Sequence, residues 1–377
     1  MTVNLYDLLE HIAEPQTLNI DPENGMPEGH NGLYHDPETP VRNTSHWLVT
    51  FARLYQHTSN ETYKMAAEKC ASYLQSDHAR PADGTFHHRE SEQKDKCNGL
   101  IGQAWTIEAL AVAAQVLEKP ELAGLAEKVF LCHPQDDWTG LWKRVEINGQ
   151  ILSFDATFNH QIWFAAAGAI LADLPWTSPV VDSRVQKHLD ELETNLRLYS
   201  TGLIFHPLKP TNSIRRYIHL VRTDEWGRIG LTFLTSSVPL QSRQRELHWK
   251  AIGYHSFNLY ALGLLKQLYP NHGFWQTEKC DRSIKYITKK VYRDSVWENE
   301  YGAPYNPIGF EVPFAMEVFD IGTVAEKREW VTKQFQQHYD SDTRQMDKNT
   351  KDPETLTARV YQATRLSNMV LPKLNNA

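Results

Sequence analysis

The segment TFNHQIWFAAAGAILADL, from Thr157 to Leu174, is apolar on nearly every side and rich in small residues. This composition is typical of a helix that is buried all round. Its first turn nevertheless contains an amide and an imidazole, those of Asn159 and His160, with Trp163 one turn later. Polar groups at the start of a buried helix suggest a site, and other helices of the chain begin in the same way.

Two kinds of helix alternate along the chain. The other apolar segments, of which the last two are weaker, begin at Thr44, Asn98, Lys250, Asn306 and Glu354. Amphipathic, charged helices lie between them and begin at Asn60, Pro120, Val180, Glu278 and Thr323. An amphipathic helix faces water on one side, so the alternation predicts an inner ring of helices wrapped by an outer ring. We therefore predict an all-α fold, an (α/α) toroid of six or seven helical hairpins.

Residues 200–245 interrupt this rhythm. The stretches TGLIFH, YIHLVR and IGLTFLT are short, rich in β-branched residues and bounded by Gly, Pro and Asn, which predicts strands of a small β insertion. No low-complexity linker divides the chain, so we predict one toroidal domain over residues 1–377, with a pair of stacked helical domains as the alternative. Within a toroid, the polar starts of the inner helices would face one shared pocket.

Composition limits the classes of partner. The formal charge is −7, from 39 basic and 46 acidic side chains, which argues against a nucleic acid. The chain holds 11 Trp, 16 Tyr and 14 Phe, a supply of rings that suits either a sugar cleft or a large core. The sequence shows no run of about 18 apolar residues, so we predict no membrane span. No signal peptide is visible, so we expect a cytoplasmic protein, or a periplasmic or secreted one if a signal has been removed.

Candidate site residues follow from the helix starts. PVRNTSHW contains Arg42, Asn43, His46 and Trp47, and KCNGLIGQAWTIEAL contains Gln103 and Trp105. The later segments add Asn159, His160, Trp163, Tyr254 and His255, and a loop punctuated by Gly and Pro adds Tyr301 and Tyr305. Helix capping and core packing explain parts of these clusters equally well. The adjacent His87 and His88 do not face the same way on a strand or helix, so no metal site is predicted.

Two of these segments resemble a known family. FNHQIWFAAAG resembles the Asn-His motif of helical-toroid alginate lyases, and KAIGYHSFNLYAL resembles their inner helix with a Tyr-His pair. The overall layout resembles polysaccharide lyase family 38, which cuts uronic-acid polymers. It is also similar to toroid proteins of polysaccharide-assembly clusters, some of which are thought to alter hexuronic acids. The family's catalytic Tyr is replaced here by Phe257, and a nearby Arg is replaced by Lys250.

The resemblance implies a polysaccharide lyase that cleaves an alginate- or glucuronan-type polymer by β-elimination without a cofactor. Asn159 and His160, assisted by Arg42, would neutralise the substrate carboxylate. Tyr301 would act as base and then as acid, with His255 sharing the proton transfer. Tyr254 and Tyr305 are the reserve tyrosines. A free Tyr titrates near 10, so its pKa would have to be lowered by a cationic neighbour.

Other functions fit the same toroid. A glycoside hydrolase acting on glucuronyl residues would use the carboxylates of Asp155, Glu298 and Glu311. A hexuronic acid epimerase would abstract a proton at C5 or C2 without cutting a chain. A glycan-binding protein would bind the sugar and leave it unchanged. Each reading except the last predicts an enzyme with an anionic oligosaccharide or polysaccharide as substrate, and the oligomeric state stays open.

Overall fold

The computed structural model describes residues 2–208, 214–223, 241–372 and 374. Its α-helices are α1 Leu5–Asn19, α2 Val41–Thr58, α3 Glu61–Leu74, α4 Gly99–Leu117, α5 Pro120–Cys132, α6 Phe158–Ala172, α7 Pro179–Asp190, α8 Leu192–Asn195, α9 Ile214–Thr223, α10 Gln241–Leu268, α11 Glu278–Tyr286, α12 Lys290–Val296, α13 Ile308–Val318, α14 Val324–His338 and α15 Pro353–Ala358. Three 3₁₀ helices cover Gly32–Tyr34, Gly273–Gln276 and Arg359–Arg365. The strands are β1 Thr2–Asn4, β2 Lys143–Val145, β3 Ile151–Phe154 and β4 Val370–Pro372.

An inner ring of helices closes on itself. Helices α2, α4, α6, α10 and α13 contact one another in this order, and the 3₁₀ helix Arg359–Arg365 contacts both α13 and α2. Helices α3, α5, α7, α12 and α14 each pack outside the inner helix that they follow or precede, and α1 packs on the 3₁₀ helix. Across the described residues this makes six inner elements, so the predicted (α/α) toroid is confirmed. The single-domain organisation stays a prediction.

The inner helices are buried because small residues let them approach closely. In α4 every residue from Gly99 to Ala114 is buried, and α6 is buried almost throughout. A Cβ atom on Gly168 of α6 would lie 2.4 Å from the ring of Phe130 in α5, so only Gly fits there. By length and composition α4 is apolar enough to cross a membrane, but 83% of its apolar window is buried inside the fold, as in core helices of soluble proteins.

The region 200–245 differs in part from the predicted β insertion. In TGLIFH, Thr201 and Gly202 lie in a turn, and Ile204 after it forms an isolated bridge with Leu198. YIHLVR instead lies in α9, so the strand prediction is wrong there. Intrinsic β-propensity is weak beside tertiary contacts, and α9 is held by buried Leu220 and by the hydrogen bond between His219 and Asp136. IGLTFLT lies outside the described residues.

The two ends of the chain meet in a short sheet. β1 and β4 are antiparallel, with Val3 opposite Leu371. Leu371 is fully buried, whereas Val370 is half exposed on the other face of the strand. The pairing therefore joins the segment before α1 to the segment that follows the 3₁₀ helix Arg359–Arg365.

Candidate active site

A cavity of about 330 Å³ opens where the inner helices begin. Its walls include the first turns of α4 and α6, the amino-terminal half of α10 and the loops before α2, α4 and α13. This volume lies within the range of small-molecule sites. The predicted convergence of polar helix starts in one hollow is therefore present for α4 and α6. Helix α10, which was expected to begin at Lys250, begins at Gln241 and lines the cavity with residues near its middle.

His160 stands in this cavity with one ring nitrogen fixed. Its Nδ1 donates to Oδ2 of Asp155 at 2.8 Å, which leaves Nε2 available to the cavity. Asp155 is buried and also accepts from the backbone amides of Leu100 and Thr157. Burial opposes ionisation, but the charge and hydrogen bond of His160, with the Leu100 amide, hold the pKa of Asp155 well below its usual range. The carboxylate thus orients the imidazole and offsets its charge when the ring is protonated.

His206 is the second imidazole of the cavity. Its backbone carbonyl accepts from the amide of Phe158 at 3.1 Å, which brings it beside the start of α6. Its ring lies 4.6 Å from that of Tyr254, and its buried Nδ1 has no hydrogen-bond partner among the described residues. Burial and then the charge of Lys250 keep the pKa of His206 well below its usual value. His206 is therefore a neutral imidazole, and its unpartnered nitrogen is free to contact a ligand in the cavity.

Lys250 lies among aromatic rings. Its Nζ is 5.0 Å from the ring centroid of Tyr34, 5.6 Å from that of Tyr254 and 5.5 Å from that of Tyr301. Burial lowers the pKa of this half-buried lysine to about 8. A cation over π faces is stabilised without being neutralised.

The other cations of the cavity wall are paired. Arg89 and Arg144 both form ion pairs with Asp95, and Lys94 forms one with Asp36. Arg359 is buried and donates to Glu311 at 2.9 Å. Each ion pair holds a loop or element at the cavity, and the carboxylate offsets the charge of the cation.

Five of the predicted site residues line the cavity. They are Trp105, Asn159, His160, Tyr254 and Tyr305. The buried Oδ1 of Asn159 has no hydrogen-bond partner among the described residues. The hydroxyl of Tyr305 donates to Asn31 at 2.8 Å, and that of Tyr254 is 3.1 Å from the hydroxyl of Tyr34.

Tyr301 and His255 lie outside the cavity wall. Tyr301 contacts the ring of Tyr254 but is not part of the lining, and burial raises its pKa, as it raises those of Tyr254 and Tyr305. A tyrosine base needs the opposite shift. His255 is fully buried, accepts from the amide of Ile204 and contacts the carbonyl of Ser283 at 2.9 Å, and burial lowers its pKa to about 3. Both ring nitrogens are therefore engaged in holding the fold.

The remaining predicted residues lie behind the wall. All are buried and outside the lining: Arg42, Asn43, His46, Trp47, Gln103 and Trp163. Arg42 pairs with Glu38 at 3.0 Å and lies 4.2 Å from the ring centroid of Trp105, so it supports a residue of the floor. Gln103 and Trp163 hydrogen-bond to backbone groups of Phe86 and Phe257. These side chains shape the cavity without facing it.

His206 and Arg144 were missed by the sequence analysis. His206 ends a short extended stretch whose return to α6 depends on the long-range bridge between Thr157 and Pro207. Arg144 stands on β2, a three-residue strand without a strong pattern. The described residues contain no group of three or more His, Cys, Asp or Glu side chains suited to a metal ion.

The ring and its cavity define an (α/α)-toroid protein with a ligand-sized cleft at the start of the inner helices. No family model matches the chain. It belongs to the same family as archaeal glycosylation protein Q of Haloferax volcanii, to which it is 44% identical over 364 residues, 96% of this chain and 97% of that protein.

Solved structures share the fold at low sequence identity. A D-mannose isomerase has a TM-score of 0.61 and 14% identity over 95% of this chain and 94% of its own. The cellobiose 2-epimerase of Bacillus thermoamylovorans has a TM-score of 0.63 and 12% identity, with coverage of 95% and 98%. An α-1,6-mannanase from a Salegentibacter species, in complex with mannotriose, has a TM-score of 0.56 and 10% identity, with coverage of 95% and 98%.

These comparisons correct one prediction. The resemblance to polysaccharide lyases is wrong, because the relative is a glycosylation protein and the similar structures are an isomerase, epimerases and mannanases. The prediction of alginate or glucuronan cleavage, which rested on this resemblance, is therefore also wrong. The match was clear over two helix segments only, and the toroid layout is shared with the isomerase, epimerase and mannanase structures.

Proposed function

We propose that this protein is a sugar epimerase or isomerase that moves a proton between carbon and two imidazoles, those of His206 and His160. The observation that carries the proposal is that both rings line one cavity in complementary settings. His206 is neutral with a buried, unpartnered nitrogen, while His160 is oriented by a carboxylate that offsets a positive charge. A pair of titratable groups in contrasting environments is the arrangement that assigns base and acid.

The reaction follows from these two states. The neutral imidazole of His206 accepts a proton from a carbon next to a carbonyl or carboxyl group of the sugar. Protonated His160 returns a proton through Nε2 while Asp155 holds Nδ1. Delivery to the other face of the same carbon gives an epimer, and delivery to the neighbouring carbon gives an isomer. The names of the relative and of the similar structures support a role in preparing a sugar for glycosylation.

A glycoside hydrolase is less well supported by the cavity. Such an enzyme needs a carboxylic acid with a raised pKa facing a second carboxylate. Asp95 and Asp155 both line the cavity, but burial is outweighed by their cationic partners and the pKa of each is lowered. Glu298 is not part of the lining, and Glu311 is buried against Arg359 and Ser256.

We further propose that the sugar is anionic. The cavity wall contains five cationic side chains and three carboxylates: Arg89, Lys94, Arg144, Lys250 and Arg359 against Asp36, Asp95 and Asp155. This excess of positive charge occurs on a protein whose formal charge is −7. A locally cationic cleft concentrates an anionic substrate. A hexuronic acid therefore suits the site better than a neutral hexose.

The test is proton exchange in D₂O. The protein is incubated with a panel of free hexoses and hexuronic acids, and the products are followed by ¹H NMR. Epimerisation or isomerisation with incorporation of solvent deuterium is expected for a hexuronic acid. His206→Gln and His160→Gln should each lower the rate by about 10²- to 10⁴-fold, since each removes a proton-transfer group.

A surface variant provides the control. His272→Gln changes a histidine whose partner is the exposed carboxylate of Asp190, and it should keep the full rate. Release of new reducing ends from an oligosaccharide, with no deuterium in the sugar ring, would show a hydrolase instead. Full activity in both cavity variants would refute the assignment of the two histidines.

A further inference from the structure

Lys250 differs from the other cations of the cavity wall because no carboxylate of the described residues forms an ion pair with it. Arg89, Arg144, Lys94 and Arg359 each have one within 3.0 Å. Glu246 lies one turn earlier on α10 and acts on Lys250 only at a distance. Within the part of the chain that the structure describes, this ammonium group therefore has no counter-ion, and an anionic substrate could supply one.

The surroundings of Lys250 suit a carboxylate. The rings of Tyr34, Tyr254 and Tyr301 surround its Nζ at 5.0–5.6 Å and limit its contact with water. The hydroxyls of Tyr34 and Tyr254 are 3.1 Å apart, and Tyr254 also hydrogen-bonds to Tyr305, so the phenols beside Lys250 form one network. An ammonium group binds a carboxylate by a charge-assisted hydrogen bond.

The same tyrosine ring contacts both Lys250 and the base. The ring centroids of Tyr254 and His206 are 4.6 Å apart. The Nζ atom of Lys250 lies 5.6 Å from the ring centroid of Tyr254. Lys250 and His206 both line the cavity, on either side of this ring. A carboxylate bound to Lys250 therefore brings the carbon that bears it next to the imidazole of His206.

Resting on the proposed epimerase function, we infer that Lys250 binds the carboxylate of a hexuronic acid and that the C–H bond broken is at C5, the carbon that bears this carboxylate. The C5–H bond breaks and its proton goes to His206. The electron pair moves into the carboxyl group, whose second negative charge Lys250 offsets. Protonated His160 gives a proton to the opposite face of C5. No oxidation occurs, and exchange with water restores the two histidines.

This inference separates the protein from enzymes that act at C2. A reaction at C2 proceeds through the open-chain aldehyde, so a sugar locked as a glycoside cannot undergo it. A reaction at C5 uses the carboxylate and needs no ring opening. A hexuronic acid that is already joined through C1 is then a substrate, and the product is the C5 epimer in the same linkage.

The decisive substrate is a methyl glycoside of glucuronic acid in D₂O, compared with free glucuronic acid, mannose and glucose 6-phosphate. Loss of the H5 signal in the methyl glycoside, with appearance of the C5 epimer, is expected. Exchange at H2 of a free sugar with an inert methyl glycoside would overturn the inference and leave the epimerase proposal standing. Turnover of glucose 6-phosphate but not of the uronates would overturn the choice of carboxylate. No exchange at any carbon of any sugar would refute both.

Variants of Lys250 test its role. Lys250→Met keeps the length of the side chain and removes the charge, so we expect kcat/KM for the uronate to fall at least 100-fold, with Lys250→Arg recovering part of it. Lys266→Met is the matched control, because Lys266 is on the same helix and its Nζ lies 5.6 Å from the ring of Trp275, away from the cavity. It should leave the rate unchanged. An unaltered kcat/KM in folded Lys250→Met, checked by circular dichroism, would overturn the inference.

Discussion

Asp155 connects the fold to the chemistry through a few hydrogen bonds. It accepts from the amide of Leu100 in α4 and from that of Thr157 before α6, so one carboxylate joins the starts of two inner helices. Its third partner is the imidazole of His160. Helix starts carry unpaired amides that favour a negative charge, which is why an acidic side chain can be buried there. The same charge sets the orientation of the histidine.

Replacing Asp155 by Asn should lower both activity and stability. The folded pKa of Asp155 lies below the value of about 3.9 in an unfolded chain, so its stabilising effect is complete above that value and is lost as the pH falls through the folded pKa. We expect the variant to lose about 3 kcal/mol at pH 7, typical of a broken buried pair. The difference from the wild type should shrink below about pH 4. Urea unfolding at pH 7 and at pH 3 measures it.

Asp190→Asn is the control for this prediction. Its carboxylate also accepts from a histidine, His272, but its side chain is 66% exposed. Exposed pairs contribute at most about 1 kcal/mol, so little change is expected at either pH. Equal losses in the two variants would contradict the role given to the buried pair.

Helices α4 and α6 were predictable because their composition reports burial directly. Small and apolar residues on every side identified both as inner helices, and the polar start of α6 identified His160 and Asn159 as facing a cavity. Arg42 and His46 show the limit of this reasoning. They also stand at a helix start, yet both are buried behind Trp105. From the sequence one can predict that a residue lies at the start of a helix, but not whether its side chain faces the cavity or the core.

Gly99, the first residue of α4, allows a prediction about this helix start. Its φ is +60°, and an added Cβ would lie 2.6 Å from Oδ2 of Asp155 and 3.2 Å from Nδ1 of His160. Gly99→Ala should therefore displace the Asp–His pair and also pay the left-handed strain of about 1–2 kcal/mol. We expect the rate of deuterium exchange into the sugar to fall at least tenfold and the melting temperature to drop.

Gly149→Ala separates the two effects. Gly149 has a φ of +83°, and nothing lies within 4 Å of an added Cβ. This variant should show a similar drop in melting temperature with an unchanged exchange rate. If Gly99→Ala kept the wild-type rate, the close contact with the pair would have no catalytic consequence.

The toroid could be predicted as a whole, but its closure could not. The alternation of buried and amphipathic helices is a local pattern in the sequence. The inner and outer helices that it predicted are present around the ring. The last inner element was expected as a helix from Glu354, and the structure has the short α15 followed by the 3₁₀ helix Arg359–Arg365. Contacts between the two ends of the chain depend on pairing over more than 360 residues, which no local pattern encodes.

The closed ring predicts how the molecule unfolds. Leu371 in β4 is fully buried, and Leu371→Ala should cost about 2–5 kcal/mol through lost contacts and a residual cavity. Because β4 directly follows the 3₁₀ helix that closes the ring, and β1 precedes α1, which packs on that helix, loosening the strand pair weakens the closure. We expect calorimetry to show a lower melting temperature for the entire transition, with faster amide exchange even in α6 across the ring. Val370→Ala changes the half-exposed neighbour on the other face of the same strand and should shift the transition little. A separate early transition confined to the chain ends, with α6 still fully protected, would show that the ring does not unfold as one unit.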